Sequence, residues 1–192
     1  MDARPRSRAP ADGSEADRSV NPARTRTVPP RSGGASGAPE DLAALYDAWA
    51  GRLLGYMIAL TRDRHAAEDA LQNLFVKLAA SRPAMDDPAA YLFGAARNEA
   101  LRASRRRPER SLAELDVVAP RATGADPDEA RALAAALDRL PAEQAEVVIL
   151  HAFEGLTFAE VGRVTGVSLD TAASRWRYAL EKLRGELGGR DA

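Results

Sequence analysis

From Glu40 onward the apolar positions recur at helical spacing. Leu42, Leu45, Tyr46, Trp49 and Leu53 fall at i, i+3, i+4, i+7 and i+11, the stripe of an amphipathic helix that faces a core. A second helix repeats the device, with Leu71, Leu74, Phe75 and Leu78 on its apolar face and Asp69, Gln72, Asn73 and Lys77 on its polar side. Pro83 and the Asp86-Asp87-Pro88 stretch break the chain, because a residue before proline is pushed out of the α region. A third helix is expected from about Ala89 to Arg106. Periodicity then lapses over residues 109–130, which hold six acids, two bases, Pro120, Gly124 and Pro127 and read as a flexible linker. Beyond it Leu133, Ala136, Leu137 and Leu140 restart a helical stripe. Pro141 stops that stripe and suits the first position of another helix, and helical segments run on to about Leu187. No strand-like alternation is found. The pattern predicts an all-α chain of two small helical domains, 40–108 and 131–188, joined by the linker.

The second domain carries a sharper signal. Thr157-Phe158-Ala159-Glu160 has the form of a capping box, and Gly166 is the residue type that closes a helix in the left-handed conformation. Ser168 is a good N-cap for a following helix that passes through Thr171, Arg175, Leu180 and Leu183. Two helices joined by so short a turn cross steeply, and Gly162 supplies the small residue that their approach needs. Together these features predict a helix-turn-helix rather than an ordinary helical hairpin. The first turns of its second helix would offer Ser168, Asp170, Thr171, Ala173, Ser174, Arg175 and Arg177 to base edges and phosphates. Trp176, at helical spacing from Ala172 and Leu180, is expected to pack on the core rather than stack on bases.

In the first domain Asn98, Arg102, Arg105 and Arg106 lie at i, i+4, i+7 and i+8 of the third helix, with Arg97 alongside. Such a face can grip phosphates and bases of a strand, or be only a solvated helix end that suits the macrodipole. Tyr91, after the loop from Ser81 to Pro88, can stack on an unpaired base or pack inward. Asp69, Gln72 and Asn73 stand without a metal-ligand set, so a protein-contact surface is the more economical reading.

Composition alters this picture in only a few places. The 192 residues hold 28 acids and 27 bases, a net charge of −1 that argues against a uniformly basic nucleic-acid binder. The average hides unlike parts. Residues 1–39 carry six of the twelve prolines and seven Arg and read as a disordered tail, while the linker is acidic. The absence of cysteine excludes disulfide and thiolate chemistry. No stretch approaches the roughly 18 apolar residues of a membrane span, and the N-terminus lacks an apolar signal segment, so a cytoplasmic location without membrane insertion is expected. His65 and His151 belong to no catalytic set and no phosphate loop exists, so neither an enzyme nor a small-molecule substrate, metal or cofactor is expected. His151 reads as a packed histidine at a helix end.

Two stretches then bring a family into view. AEDALQNLFVKL from Ala67 and YLFGAARNEALRASRRR from Tyr91 resemble region 2 of bacterial RNA polymerase sigma factors, and Leu137 to Arg184 resembles their region 4. The order, the spacing and the missing middle region are similar to the extracytoplasmic-function group. The resemblance implies a non-catalytic subunit with core RNA polymerase and promoter DNA as partners, and an anti-sigma factor as a further one. It implies that Asp69, Gln72, Asn73 and Phe75 touch the clamp coiled coil of the polymerase. It assigns Arg82, Tyr91, Arg97, Asn98, Arg102, Arg105 and Arg106 to the minus-ten element, with Asn98 at the position of the family's usual Asn. Region 4, through the helix after Ser168, would read the minus-thirty-five element and touch the polymerase flap. Departures are Tyr91 where a tryptophan is usual, Ala172 where a larger branched residue is common, and Ala173 and Tyr178 where basic residues are frequent. The alternative that these suggest is a sigma mimic that sequesters an anti-sigma factor and leaves promoters alone.

Overall fold

The computed structural model describes residues 42–105 and 127–187, all of whose regular structure is helical. The N-terminal tail, Arg106 and the linker as far as residue 126 lie outside the described residues. Three helices build the first unit. The first, α1 (Leu42–Thr61), ends where Arg62 takes a left-handed conformation, φ 52°, and its amide returns to the Ile58 carbonyl at 2.8 Å. Asp63 immediately caps α2 (Arg64–Ser81) by accepting from the Ala66 amide at 2.9 Å. Asp87 caps α3 (Pro88–Ser104) in the same way through the Ala90 amide at 3.1 Å, with Pro88 in the first turn. The three helices pack on one another, burying Leu53, Tyr56 and Met57 of α1, Leu71, Leu74 and Leu78 of α2, and Leu92, Phe93 and Ala96 of α3.

The second unit begins earlier than its composition suggested. Its first helix, α4 (Pro127–Asp138), takes in residues that acid content had placed in the linker. Asp128 and Glu129 sit in its first turn, where negative charge complements the exposed amides. Acids at a helix start and acids in a solvated tether look alike in composition. Pro141 is the N-cap of α5 (Ala142–Val148), not its first residue, and its carbonyl accepts from the Gln144 and Ala145 amides. A π-helical turn, Ile149–Phe153, prolongs α5, and α6 (Phe158–Thr165) and α7 (Leu169–Leu187) follow. The third helix also stops at Ser104, two residues short of the expected end.

The helix-turn-helix forms as the spacing predicts. The Thr157 and Glu160 side chains complete a capping box at the start of α6. Gly166 closes that helix at φ 77°, and Ser168 accepts from the Thr171 amide at 3.1 Å to cap α7. A Cβ on Gly162 would lie 2.7 Å from the Val167 carbonyl oxygen, so only glycine allows the turn to pass there.

The two units share apolar contact that sequence spacing does not show. One continuous buried cluster includes Leu53, Tyr56, Phe93, Ala96 and Ala100 of the first unit with Val147, Leu150, Leu156, Val161 and Ala172 of the second. A smaller cluster, with Leu137, Leu140, Val148, Ala179 and Leu183, belongs to the second unit alone. As a result α6 lies against α3.

Candidate nucleic-acid interface

On α3 the buried residues Leu92, Phe93, Ala96 and Ala100 define the inner face, so the opposite side is settled by helical geometry. Tyr91, Asn98, Arg102 and Arg105 all fall there and are exposed. Tyr91 keeps 41% of its surface, which decides between the two alternatives: its ring faces outward. Glu99 ties the face together, accepting from Arg102 at 2.8 Å and from Lys77 of α2 at 2.7 Å. Arg82 is exposed in the turn after α2, in a left-handed conformation at φ 39°.

Arg97 behaves differently. One residue before Asn98, it projects about 100° around the helix, toward the second unit. Its Nε donates to Glu146 Oε1 at 2.8 Å, and the Tyr56 hydroxyl donates to the same oxygen at 2.7 Å. Partial burial works to lower the Arg97 pKa, but the hydrogen bond and charge of Glu146, with Tyr56 adding, outweigh it and hold the guanidinium charged. Burial, then the charge and hydrogen bond of Glu146, push the Tyr56 phenol well above its ordinary range against the opposing pull of Arg97. The phenol therefore stays a donor.

On α7 the buried Ala172, Ala179 and Leu183 again define the inner face. Asp170, Ser174 and Arg177 lie opposite them, with Ser168 and Thr171 exposed at the N-terminus and Ala173 half-buried at the edge. Arg177 donates to Ser174 at 3.1 Å and keeps its guanidinium outward. Arg175, three residues after Ala172, sits beside the buried stripe and turns to Glu143 of α5 at 3.3 Å. Trp176 packs inward as expected, edge-on to His151 at 4.8 Å. His151 is itself held, with Nδ1 2.7 Å from the Leu156 carbonyl and its ring stacked on Phe158 at 4.2 Å. The carbonyl can only accept, so Nδ1 carries the proton. Ala172 is completely buried, so its small size is a packing feature rather than a lost contact.

The polar side of α2 presents Asp69, Gln72 and Asn73 to solvent. Phe75 does not join them. It is 7% exposed and packs edge-on to Tyr46 at 4.8 Å, so it supports this surface from beneath. The apolar groups that reach the surface are Val76, on the same face as Gln72 and Asn73, and Tyr46 of α1. Sequence reasoning missed both, along with the exposed Leu169 of α7; Tyr178, named above as a departure where basic residues are frequent, is exposed as well. Tyr46 belonged to an apolar stripe that reads as core, and Leu169 carried the signal of directly following the Ser168 cap. Among the described residues no group of three or more potential metal ligands converges, and no helix is long and apolar enough to cross a membrane.

Comparison with known proteins agrees with this arrangement. Residues 45–109 match the family model for sigma-70 region 2, and residues 130–183 match that for sigma-70 region 4. The RNA polymerase sigma factor CarQ of Myxococcus xanthus is 32% identical over 163 residues, which cover 81% of this chain and 92% of that protein. The chain belongs to the sigma-70 family, in its extracytoplasmic-function group. The sigma factor SigL of Mycobacterium tuberculosis is 29% identical over 80% of this chain and 92% of its own length. Of solved structures, the sigma factor RpoE in complex with the anti-sigma factor NepR from Bartonella quintana shares the fold, with a TM-score of 0.58 and 24% identity over 76% of this chain and 96% of that one. CnrH in complex with the cytosolic domain of CnrY gives 0.59 and 21% identity over 78% and 88%. As a sigma factor, the protein acts in promoter-directed transcription initiation with core RNA polymerase, a regulatory rather than an enzymatic task. Its first unit is sigma region 2, and its second is sigma region 4.

Proposed function

We propose that this sigma factor docks on the polymerase through α2 and reads two promoter elements with two differently built surfaces. Asp69, Gln72, Asn73 and Val76 form the docking face, against the clamp coiled coil, with Phe75 beneath it. Tyr91, Asn98, Arg102 and Arg105 line one side of α3 and take the unpaired minus-ten strand, joined by Arg82, Arg97 and Arg106. An exposed aromatic ring beside a row of amide and guanidinium donors suits stacking on bases and binding of phosphates. The N-terminal turns of α7, from Ser168 through Asp170, Thr171, Ala173 and Ser174 to Arg177, enter the duplex major groove at the minus-thirty-five element, with Arg175 at their edge.

The observation that carries this reading is the outward alignment of Tyr91, Asn98, Arg102 and Arg105 on α3, in a chain that also holds a complete helix-turn-helix. The full burial of Ala172 favours promoter binding over mimicry, because that position is no eroded contact. The relatives solved with anti-sigma proteins support an anti-sigma factor as a partner.

The test is transcription in vitro by core polymerase over a promoter library, with and without the protein. New promoter-dependent transcripts are expected. Failure to bind core polymerase would overturn the reading, and binding without any such transcript would favour the mimic.

A further inference from the structure

The rise of α3 sets which groups a strand lying on it can reach. Asn98 stands about 10 Å beyond Tyr91 along the axis, and Arg102 about 6 Å beyond Asn98, at about 1.5 Å per residue. A strand with one base on the Tyr91 ring therefore passes Asn98 and then Arg102. At that level α3 meets α2. Arg102 donates to Glu99 Oε1 at 2.8 Å, and Lys77 of α2 donates to the same oxygen at 2.7 Å. The two nitrogens are thus no farther apart than the sum of those bonds, 5.5 Å. The Glu99 side chain is only 11% exposed, whereas that of Lys77 is 55% and that of Arg102 is 67% exposed. The carboxylate lies beneath, and both cations face water above it. Pairs this exposed contribute little to stability, so the cross-helix bond fixes where the cations stand more than it holds the helices together.

We propose that Lys77 and Arg102 form one binding site for a single backbone phosphate of the unpaired strand, with Glu99 as the residue that positions both. The site rests on the minus-ten reading above, and it adds to that reading a residue of the docking helix. Ammonium and guanidinium groups so close would repel and separate if nothing lay between them. Glu99 shares one oxygen between them and leaves the cluster a net charge of +1. An incoming phosphate accepts from both cations, through two of its oxygens, on the side away from the carboxylate. Lysine contributes a point charge that adjusts to the phosphate, and arginine contributes a planar fork of fixed geometry. Because Glu99 already holds both side chains, less of their freedom is lost when the phosphate arrives. Asn98, exposed beside Glu99, then faces the base of the nucleotide whose phosphate is held.

The experiment titrates the full chain with a fluorescent single-stranded oligonucleotide of mixed sequence over a series of salt concentrations. Wild type is compared with Lys77→Gln, Arg102→Gln, the double variant, Lys77→Arg and Glu99→Ala. Loss of one phosphate contact to a single strand flattens the dependence of log affinity on log salt by about 0.7. Since the two cations share a phosphate, each single variant and the double variant should all flatten it by about the same 0.7. Lys77→Arg keeps the charge and should keep the wild-type slope. Glu99→Ala should weaken binding about threefold, because the cations are no longer held in place. That sign is opposite to the gain that removal of a negative charge would give by relief of repulsion alone. Urea midpoints of the Lys77 variants should stay at the wild-type value, which separates a phosphate contact from a strap between helices. No wild-type binding at low salt, an unchanged slope for Lys77→Gln, a double variant that loses twice as much as either single one, or tighter binding by Glu99→Ala would each overturn the site. The titration needs neither promoter nor polymerase, so it decides the site even where the transcription test overturns the promoter reading.

Discussion

A guanidinium one residue out of phase on a helix has a different neighbourhood from its neighbours. Arg97 and Asn98 are adjacent in sequence, yet Asn98 faces solvent and Arg97 is held by a buried carboxylate. Arg175 and Arg177 repeat the contrast on α7, the first beside the buried stripe and paired with Glu143, the second outward. The expectation that follows concerns Arg177. Arg177→Ala should lower promoter-dependent transcription roughly tenfold or more, the loss of one base or phosphate contact worth about 1–3 kcal/mol. Arg175→Ala should lower it less, since that cation already has a partner, and both variants should bind core polymerase like wild type. An unchanged promoter profile for Arg177→Ala would remove that residue from the reading surface. Which arginines exist on each helix was legible in the sequence. That Arg97 and Arg175 are satisfied internally was not, because their acids, Glu146 and Glu143, lie 49 and 32 residues away in the chain.

At the scale of the element, the sequence was most informative where chemistry is local. The capping box at Thr157 and Glu160, the left-handed closure at Gly166 and the cap at Ser168 all depend on groups within a few residues, and all form as expected. Gly162 is the strictest of these positions. Gly162→Ala would drive a Cβ to 2.7 Å from a backbone oxygen that has no flexible end to move. Destabilisation of about 1–3 kcal/mol is expected, read as a lower urea midpoint, and α6 and α7 should splay. A neutral result would mean that the turn relaxes freely. Boundaries were harder. Residues 127–130 read as tether because acids complementing a helix start cannot be told from acids in a solvated linker by composition. Phe75 read as a contact residue because its place in a motif says nothing of its depth, whereas Tyr46 covers it.

At the scale of the whole molecule, Tyr56 and Glu146 join the two regions, and their bond has a pH signature. The folded state holds the Tyr56 phenol neutral well above its ordinary range, through burial and the adjacent Glu146. An unfolded tyrosine ionises near about pH 10. The stabilisation is thus fully present below that pH and is lost as pH rises above it, because only the unfolded chain then releases the proton. Urea unfolding at about pH 9 and about pH 11 should show a fall with a slope of up to about 1.4 kcal/mol per pH unit from this group. Tyr56→Phe should be less stable at the lower pH and show a shallower fall. Equal slopes in the two proteins would show that Tyr56 is not held neutral.

The sequence by itself determined the helices, the helix-turn-helix with its caps at Thr157, Gly166 and Ser168, and the family. These follow from periodicities and short-range hydrogen bonds that repeat within a few residues. Tertiary structure alone decided that regions 2 and 4 share a core, that Arg52, Arg62 and Arg97 meet Glu154, Asp138 and Glu146, and that Phe75 lies under Tyr46. Those outcomes come from contacts between distant segments, where any of several acids could pair with any of several arginines and only the packing of α6 on α3 selects among them.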